Sequence, residues 1–354
     1  MHPDRDLSSS PGSRRLAACL FTLIVAVVAV SVALADPAPA QQQPTTVPSL
    51  GASGASGEAS SDAPVQPQSS FAVGLRVLRL IDTSRRIRLK GGSSEPRTLV
   101  TYVRYPALGA AGQTDVPNAP PASAGAPYPL VVFAHGFAVT PQLYARLLQS
   151  WARAGYVVAA PVFPLGSAGA PGGPDEADVV NQPGDMSFVI SSVLSLSRIG
   201  PSPLAGLLDP AQIAVAGHSD GGETALAVAY SRRFHDSRVG AAVILSGSEM
   251  SGVGGYSFTQ GSPPLLAAQG TADTFNEPKY TNEYFKLAQR PKFLLRLLGA
   301  EHLPPFTYQQ PQLAIVERAT IAFLDRYLKH ESGALQRLVS PSGVAGTSAL
   351  LAEP

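Results

Sequence analysis

Cysteine is almost missing from this sequence, and the one copy, Cys19, sits in an apolar run near the N-terminus. A chain so poor in thiols builds neither a disulfide framework nor a thiolate metal site, and its folded part must be held by its core alone. Charge is scarce too: 14% of residues are Asp, Glu, Lys or Arg, and the formal net charge is +1. Such a balance supplies no overall basic field, so no nucleic-acid partner is expected. No metal and no organic cofactor is expected either, and the sequence leaves the oligomeric state open. Large polar-free stretches are absent except at the start, where Leu16 to Ala35 carries no charge and follows Arg14 and Arg15. Small residues fill the recognition positions of Ala33-Leu34-Ala35, so residues 1–35 read as a signal peptide cut before Asp36, and a secreted or cell-envelope protein is expected. The alternative is a signal-anchored membrane protein, because ~20 apolar residues suffice to span a bilayer.

What is abundant comes next. Residues 36–70 are mostly Ala, Gln, Pro, Ser and Gly, with too few large apolar side chains to offset the entropy of ordering; they read as a disordered linker. From Phe71 the pattern changes, and β-rich apolar runs alternate with segments of helical period up to about residue 330. Strands are predicted at 71–82, 97–105, 128–135, 156–163, 212–218, 239–246, 264–269 and 292–298, and helices at 141–154, 184–198, 221–232, 279–289 and 311–329. Runs such as Leu130-Val131-Val132-Phe133-Ala134 suit strands buried on both faces. The expected fold is therefore α/β: a mainly parallel, eight-stranded sheet with helices on both sides. Residues 331–354 read as a flexible tail.

One constellation carries chemistry. Gly217-His218-Ser219-Asp220-Gly221 follows an apolar strand and opens a helical segment, the strand-turn-helix setting that G-x-S-x-G requires. A serine held in that tight turn stands clear of the sheet, with a helix N-terminus facing any oxyanion that forms. It needs a base, and of the six histidines His302 alone sits in a loop between an apolar strand and the final helix, in Gly299-Ala300-Glu301-His302. The base needs an acid, and Asp273 in Gly270-Thr271-Ala272-Asp273 follows another strand; Glu249 is its rival. With Asp273 the chain order is Ser, Asp, His, the order this kind of site uses. Backbone amides of Phe137, in His135-Gly136-Phe137, and of Asp220 are the expected oxyanion donors.

At these four motifs, in this order, residues 71–330 resemble the α/β-hydrolase superfamily, in the branch of platelet-activating-factor acetylhydrolases, chlorophyllases, dienelactone-hydrolase-like proteins and bacterial polyester hydrolases. The resemblance implies a serine hydrolase that cleaves carboxylic esters through an acyl-enzyme, on small-molecule or polymeric esters. Ser219 departs from dienelactone hydrolases proper, whose nucleophile is cysteine. The polyester hydrolases resemble it less closely, since Asp220 stands where they carry methionine. A polyester hydrolase, a serine peptidase, an acyltransferase and a non-catalytic binding protein are the rival functions. Between Gly247 and Pro264 lie only ~16 residues rich in Gly and Ser, too few for a large lid with a core of its own. Phe137, Met250, Phe275 and Leu303, with Tyr256, Phe258 and Phe306, are the candidate groove residues, and the 162–178 loop is expected to flank the site.

Overall fold

Five consecutive apolar residues, Leu130 to Ala134, have no solvent exposure. A strand with both faces buried demands cover on two sides. The computed structural model describes residues 70–340 and 344–354; the expected signal peptide and linker lie outside them except for Ser70. Its strands are β1 (Ala72–Arg88), β2 (Ser94–Ala107), β3 (Val116–Pro117), β4 (Tyr128–Ala134), β5 (Val157–Val162), β6 (Leu208–His218), β7 (Val239–Leu245), β8 (Leu265–Gly270), β9 (Lys292–Leu297) and β10 (Ser348–Glu353). Helices are α1 (Ala145–Arg153), α2 (Gln182–Arg198), α3 (Asp220–Tyr230), α4 (Pro278–Leu287), the single turn α5 (Pro304–Thr307), α6 (Gln312–Tyr327) and α7 (Ala334–Val339). Among these, no helix is long and apolar enough to cross a membrane.

One mixed sheet runs in the order β10-β9-β8-β7-β6-β4-β5-β2-β1-β3. From β5 through β4, β6, β7 and β8 to β9 every pairing is parallel, while β1, β2 and β10 join antiparallel. Alternation along each strand divides the core into two layers. Leu130 and Val132 pack with Met186 and Val189 of α2 and Val228 of α3, whereas Val131 and Phe133 pack with Leu147 and Trp151 of α1 and Phe323 of α6. The indole of Trp151 donates to Thr320 Oγ1 at 2.8 Å, pinning α1 to α6. The parallel register puts the C-terminal ends of β4, β6, β8 and β9 at one sheet edge, where the loops that carry the motifs emerge.

The sheet has ten strands rather than eight. The two additions are β3, only two residues long, and β10, in the segment expected to be a flexible tail. That expectation is corrected: α7 and β10 fold onto the domain. Leu338 of α7 is fully buried, and Arg337 reaches the wholly buried Asp325 at 2.8 Å. β10 covers the edge of β9 from Ser348↔Leu297 to Glu353↔Lys292, and its Leu350 and Ala352 pack against the core. The signal was the short run Ser348 to Glu353, too brief to separate from a loop without its partner strand in view.

Candidate active site

Ser219 sits between β6 and α3 with φ 57° and ψ −127°, a backbone conformation that a residue bearing Cβ rarely adopts. Its amide bonds to Leu245 O at 3.0 Å and its carbonyl accepts from Glu223 N at 3.1 Å, so both neighbouring elements hold the turn. The flanking glycines are dictated by contact. A Cβ on Gly217 would fall 2.0 Å from Gly221 O, and one on Gly221 would fall 2.1 Å from Ala134 O.

The three side chains singled out from separate loops come together. Ser219 Oγ lies 2.9 Å from His302 Nε2, and His302 Nδ1 lies 2.7 Å from Asp273 Oδ2. A carboxylate only accepts, so Nδ1 carries the proton and Nε2 is free to accept from the serine hydroxyl. Asp273 is itself held on every side: Oδ1 accepts from the amides of Phe275 at 2.9 Å and Asn276 at 3.0 Å, and Oδ2 from Gln269 Nε2 at 3.1 Å. Burial works to raise the Asp273 carboxyl, but the hydrogen bond and charge of His302 and these donors prevail and hold it below the ordinary value. Glu249, the rival acid, turns elsewhere and accepts from Gly255 N at 2.7 Å.

The amide of Phe137 has no acceptor among the described residues, and the next amide along bonds to Gly166 O at 2.9 Å. Asp220, at the N-terminus of α3, brings a carboxyl group beside Ser219. That carboxyl is buried, its Oδ2 has no partner among the described residues, and burial and then the charge of Glu176 push it up to about 6. One turn along, Glu223 is 2% exposed, accepts from Ser248 Oγ, and is pushed up to about 8 by burial and then by Asp220. Three residues apart on α3, the two carboxyl groups lie on one face of the helix.

The two histidines inside the motifs, His218 and His135, brace the site. His218 Nε2 is 2.9 Å from the main-chain oxygen of His302, and Nδ1 is 2.8 Å from Tyr144 Oη. The carbonyl fixes Nε2 as the donor, so Nδ1 accepts from the tyrosine, whose oxygen in turn receives a long 3.4 Å bond from Gly136 N. Burial, then the neighbouring His302, lower His218 to about 3, so it stays neutral. His135 is likewise buried and lowered to about 4, donating from Nδ1 to Gly136 O at 2.8 Å and accepting from Phe163 N at 3.1 Å.

Beside His302 lies a hollow of about 430 Å³ lined by residues that include Thr274, Phe275, Leu303 and Pro304. Phe275 is 67% exposed, and its ring centroid is 5.3 Å from that of His302. Phe137, 36% exposed, projects from the loop after β4. The expectation for Met250 is corrected: it packs with Val179, Ala227 and Val253 in a separate small cluster. Tyr256 and Phe258 pack onto the main core, and Phe306 is fully buried against the His218 ring at 5.1 Å. Nearness in sequence misled there: the 246–264 segment packs against α3, with Met250 beside Ala227 and Ser257 N on Tyr230 O at 2.7 Å, while Phe306 of α5 turns into the core. The segment forms no lid. The 162–178 loop does flank the site, since Gly166 O takes the Ala138 amide.

With Ser219 in a strained turn after a central parallel strand, and His302 and Asp273 in the loops after two later ones, the chain has the α/β-hydrolase fold. The family model described as chlorophyllase matches residues 115–276 of this chain. Among solved structures, a ferulic acid esterase from Streptomyces cinnamoneus is similar with a TM-score of 0.57 at 23% identity, over 77% of this chain and 94% of that one. No curated protein sequence matches.

Proposed function

We propose that this protein is an exported serine esterase that cleaves carboxylic esters through an acyl-enzyme. The hydrogen-bonded chain from Ser219 through His302 to Asp273 carries the reading. His302 takes the serine proton as Oγ attacks the ester carbonyl, and Asp273 stabilises the imidazolium that forms. His302 then returns the proton to the departing alkoxide, leaving the acyl group on Ser219; water activated by the same base releases the acid. Amides of Phe137 and Asp220 serve as oxyanion donors. The chlorophyllase match and the neighbour's description as an esterase support ester chemistry. Export rests on Arg14, Arg15 and the apolar run that follows them.

Phe275 and Leu303 wall the hollow beside His302, and this is the proposed seat of the acyl group. The exposure of Phe275 leaves a long chain uncovered, so extra methylenes gain less than the ~0.8 kcal/mol of full burial. Soluble short-chain esters are therefore the expected substrates. A fluorophosphonate should label Ser219 and abolish turnover, and esters graded by acyl length should reach a plateau after a few carbons. Amide cleavage at rates matching the esters would move the reading to a peptidase, and an unlabelled Ser219 would end it.

A further inference from the structure

The formal net charge of +1 averages over a local concentration of cations. The β1–β2 hairpin, residues 72–107, carries eight Arg or Lys and two carboxylates. The sheet sorts these by face. On the inner face Arg97 meets Asp178 and Asp185 at 2.6 Å, and Arg85 meets Asp82 and Asp185. The outer face is different. Ile87 is buried inward, so Arg86 and Arg88 point out; the bulge between Asp82 and Arg86 restores that face to Ile81, Arg79 and Val77. Arg79, Arg86 and Arg88 are exposed and have no carboxylate partner among the described residues. Between and beside them Val77 is 56% and Ile81 46% exposed. The second core layer covers this face at Val73, which is buried, and leaves it bare beyond.

The hairpin also stands in a definite place. β2 pairs antiparallel with β5, Val100 opposite Val162, and β5 runs parallel to β4. The turn at Gly91-Gly92 therefore emerges at the same sheet edge as Ser219. Lys90 donates to Gly172 O and Arg85 to Asn181 O, tying the hairpin's end to the segment that flanks the site.

We propose that this outer face is a docking surface for an anionic lipid bilayer. Guanidinium groups of Arg79, Arg86 and Arg88 meet headgroup phosphates, while Val77 and Ile81 enter the interface between them. Interleaving of cations with exposed aliphatic side chains is what selects a lipid surface over a soluble polyanion, which would leave the aliphatic groups without a partner. The proposal does not depend on the hydrolytic reading.

The test is sedimentation of the full chain with vesicles of phosphatidylcholine alone and of phosphatidylcholine mixed with phosphatidylglycerol. Three variants accompany it: Arg79→Glu/Arg86→Glu/Arg88→Glu, the neutral Arg79→Gln/Arg86→Gln/Arg88→Gln, and Val77→Ser/Ile81→Ser. The shared N-terminal run makes any difference between variants a property of the hairpin, and thermal melts verify that each is folded. Partition of the wild type should rise with phosphatidylglycerol and fall with salt, and the Gln variant should lose ~10–100-fold. The Val77/Ile81 variant should bind more weakly at every salt concentration. Equal partition of wild type and Gln variant on the mixed vesicles would overturn the proposal. So would an unaltered Val77/Ile81 variant displaced by heparin, which would make the face a polyanion site.

Discussion

The imidazole of His218 donates from Nε2 to the main-chain carbonyl of His302, 2.9 Å away, so the residue before Ser219 holds the loop that carries His302. Tyr144 extends the same chain to Gly136, beside the unpaired Phe137 amide. Loss of this brace should misplace the His302 imidazole, the base of the proposed reaction, while leaving every other proposed catalytic group in place. His218→Ala is expected to lower kcat by ~10–100-fold with KM little changed, since a small misplacement of a catalytic group costs about that much. His218→Gln, which keeps a donor, should recover part of it. Steady-state kinetics alongside a thermal melt separate this from unfolding, and an equal loss in the Ala and Gln variants would argue against bracing.

Ser219→Ala and His302→Ala should each lower kcat by at least ~10³-fold, with Asp273→Asn somewhat milder, and the double variants should be scarcely worse than the singles. Glu249→Gln should behave as wild type, because Glu249 is engaged by Gly255. Turnover of a soluble ester by each variant decides it. Full activity in Asp273→Asn would remove the acid from this assignment.

Glu223 gives a pH dependence of stability. Folding raises its carboxyl from 4.5 to about 8, so between those values the folded protein holds a proton that the unfolded chain has released. Its contribution is fully present below about 4.5 and is lost as pH rises through about 8. Glu223→Gln removes that loss. Thermal melts of the two proteins should diverge from pH 5 to pH 8, the variant becoming more stable by on the order of 1–3 kcal/mol, and run parallel above. A constant difference across the range would mean that Glu223 is ionised in the folded state.

β10 shields the edge of β9, whose backbone would otherwise be open to pairing with another chain. Leu350→Asp, or removal of residues 348–354, should lower the melting midpoint by several degrees, about what 1–3 kcal/mol produces in a domain of this size. It should also increase aggregation on heating. Light scattering through the melt reads both, and an unchanged midpoint would make β10 an ornament on the sheet.

Much of this molecule is local, and local features are legible along the chain. An apolar run such as Leu130 to Ala134 has no stable setting but a strand covered on both sides, so the layered fold follows from composition and period. Gly217-His218-Ser219-Asp220-Gly221 names its own turn, because only glycine tolerates the contacts at 217 and 221. Chain order then ranks Asp273 over Glu249, although it cannot say where either side chain points. Other features depend on what packs across from a residue, which no neighbour in sequence encodes. Met250 and Phe306 lie close to the motifs along the chain, yet one joins a separate cluster and the other the core. His218 was legible as part of the elbow but not as the brace of His302, since its two partners stand 74 and 84 residues away. A balanced net charge conceals the outer face of β1, because register and a bulge, rather than composition, decide which arginines find carboxylates and which face water. The tail from Glu331 acquires its order the same way: a six-residue strand is nothing by itself, and the waiting edge of β9 makes it one.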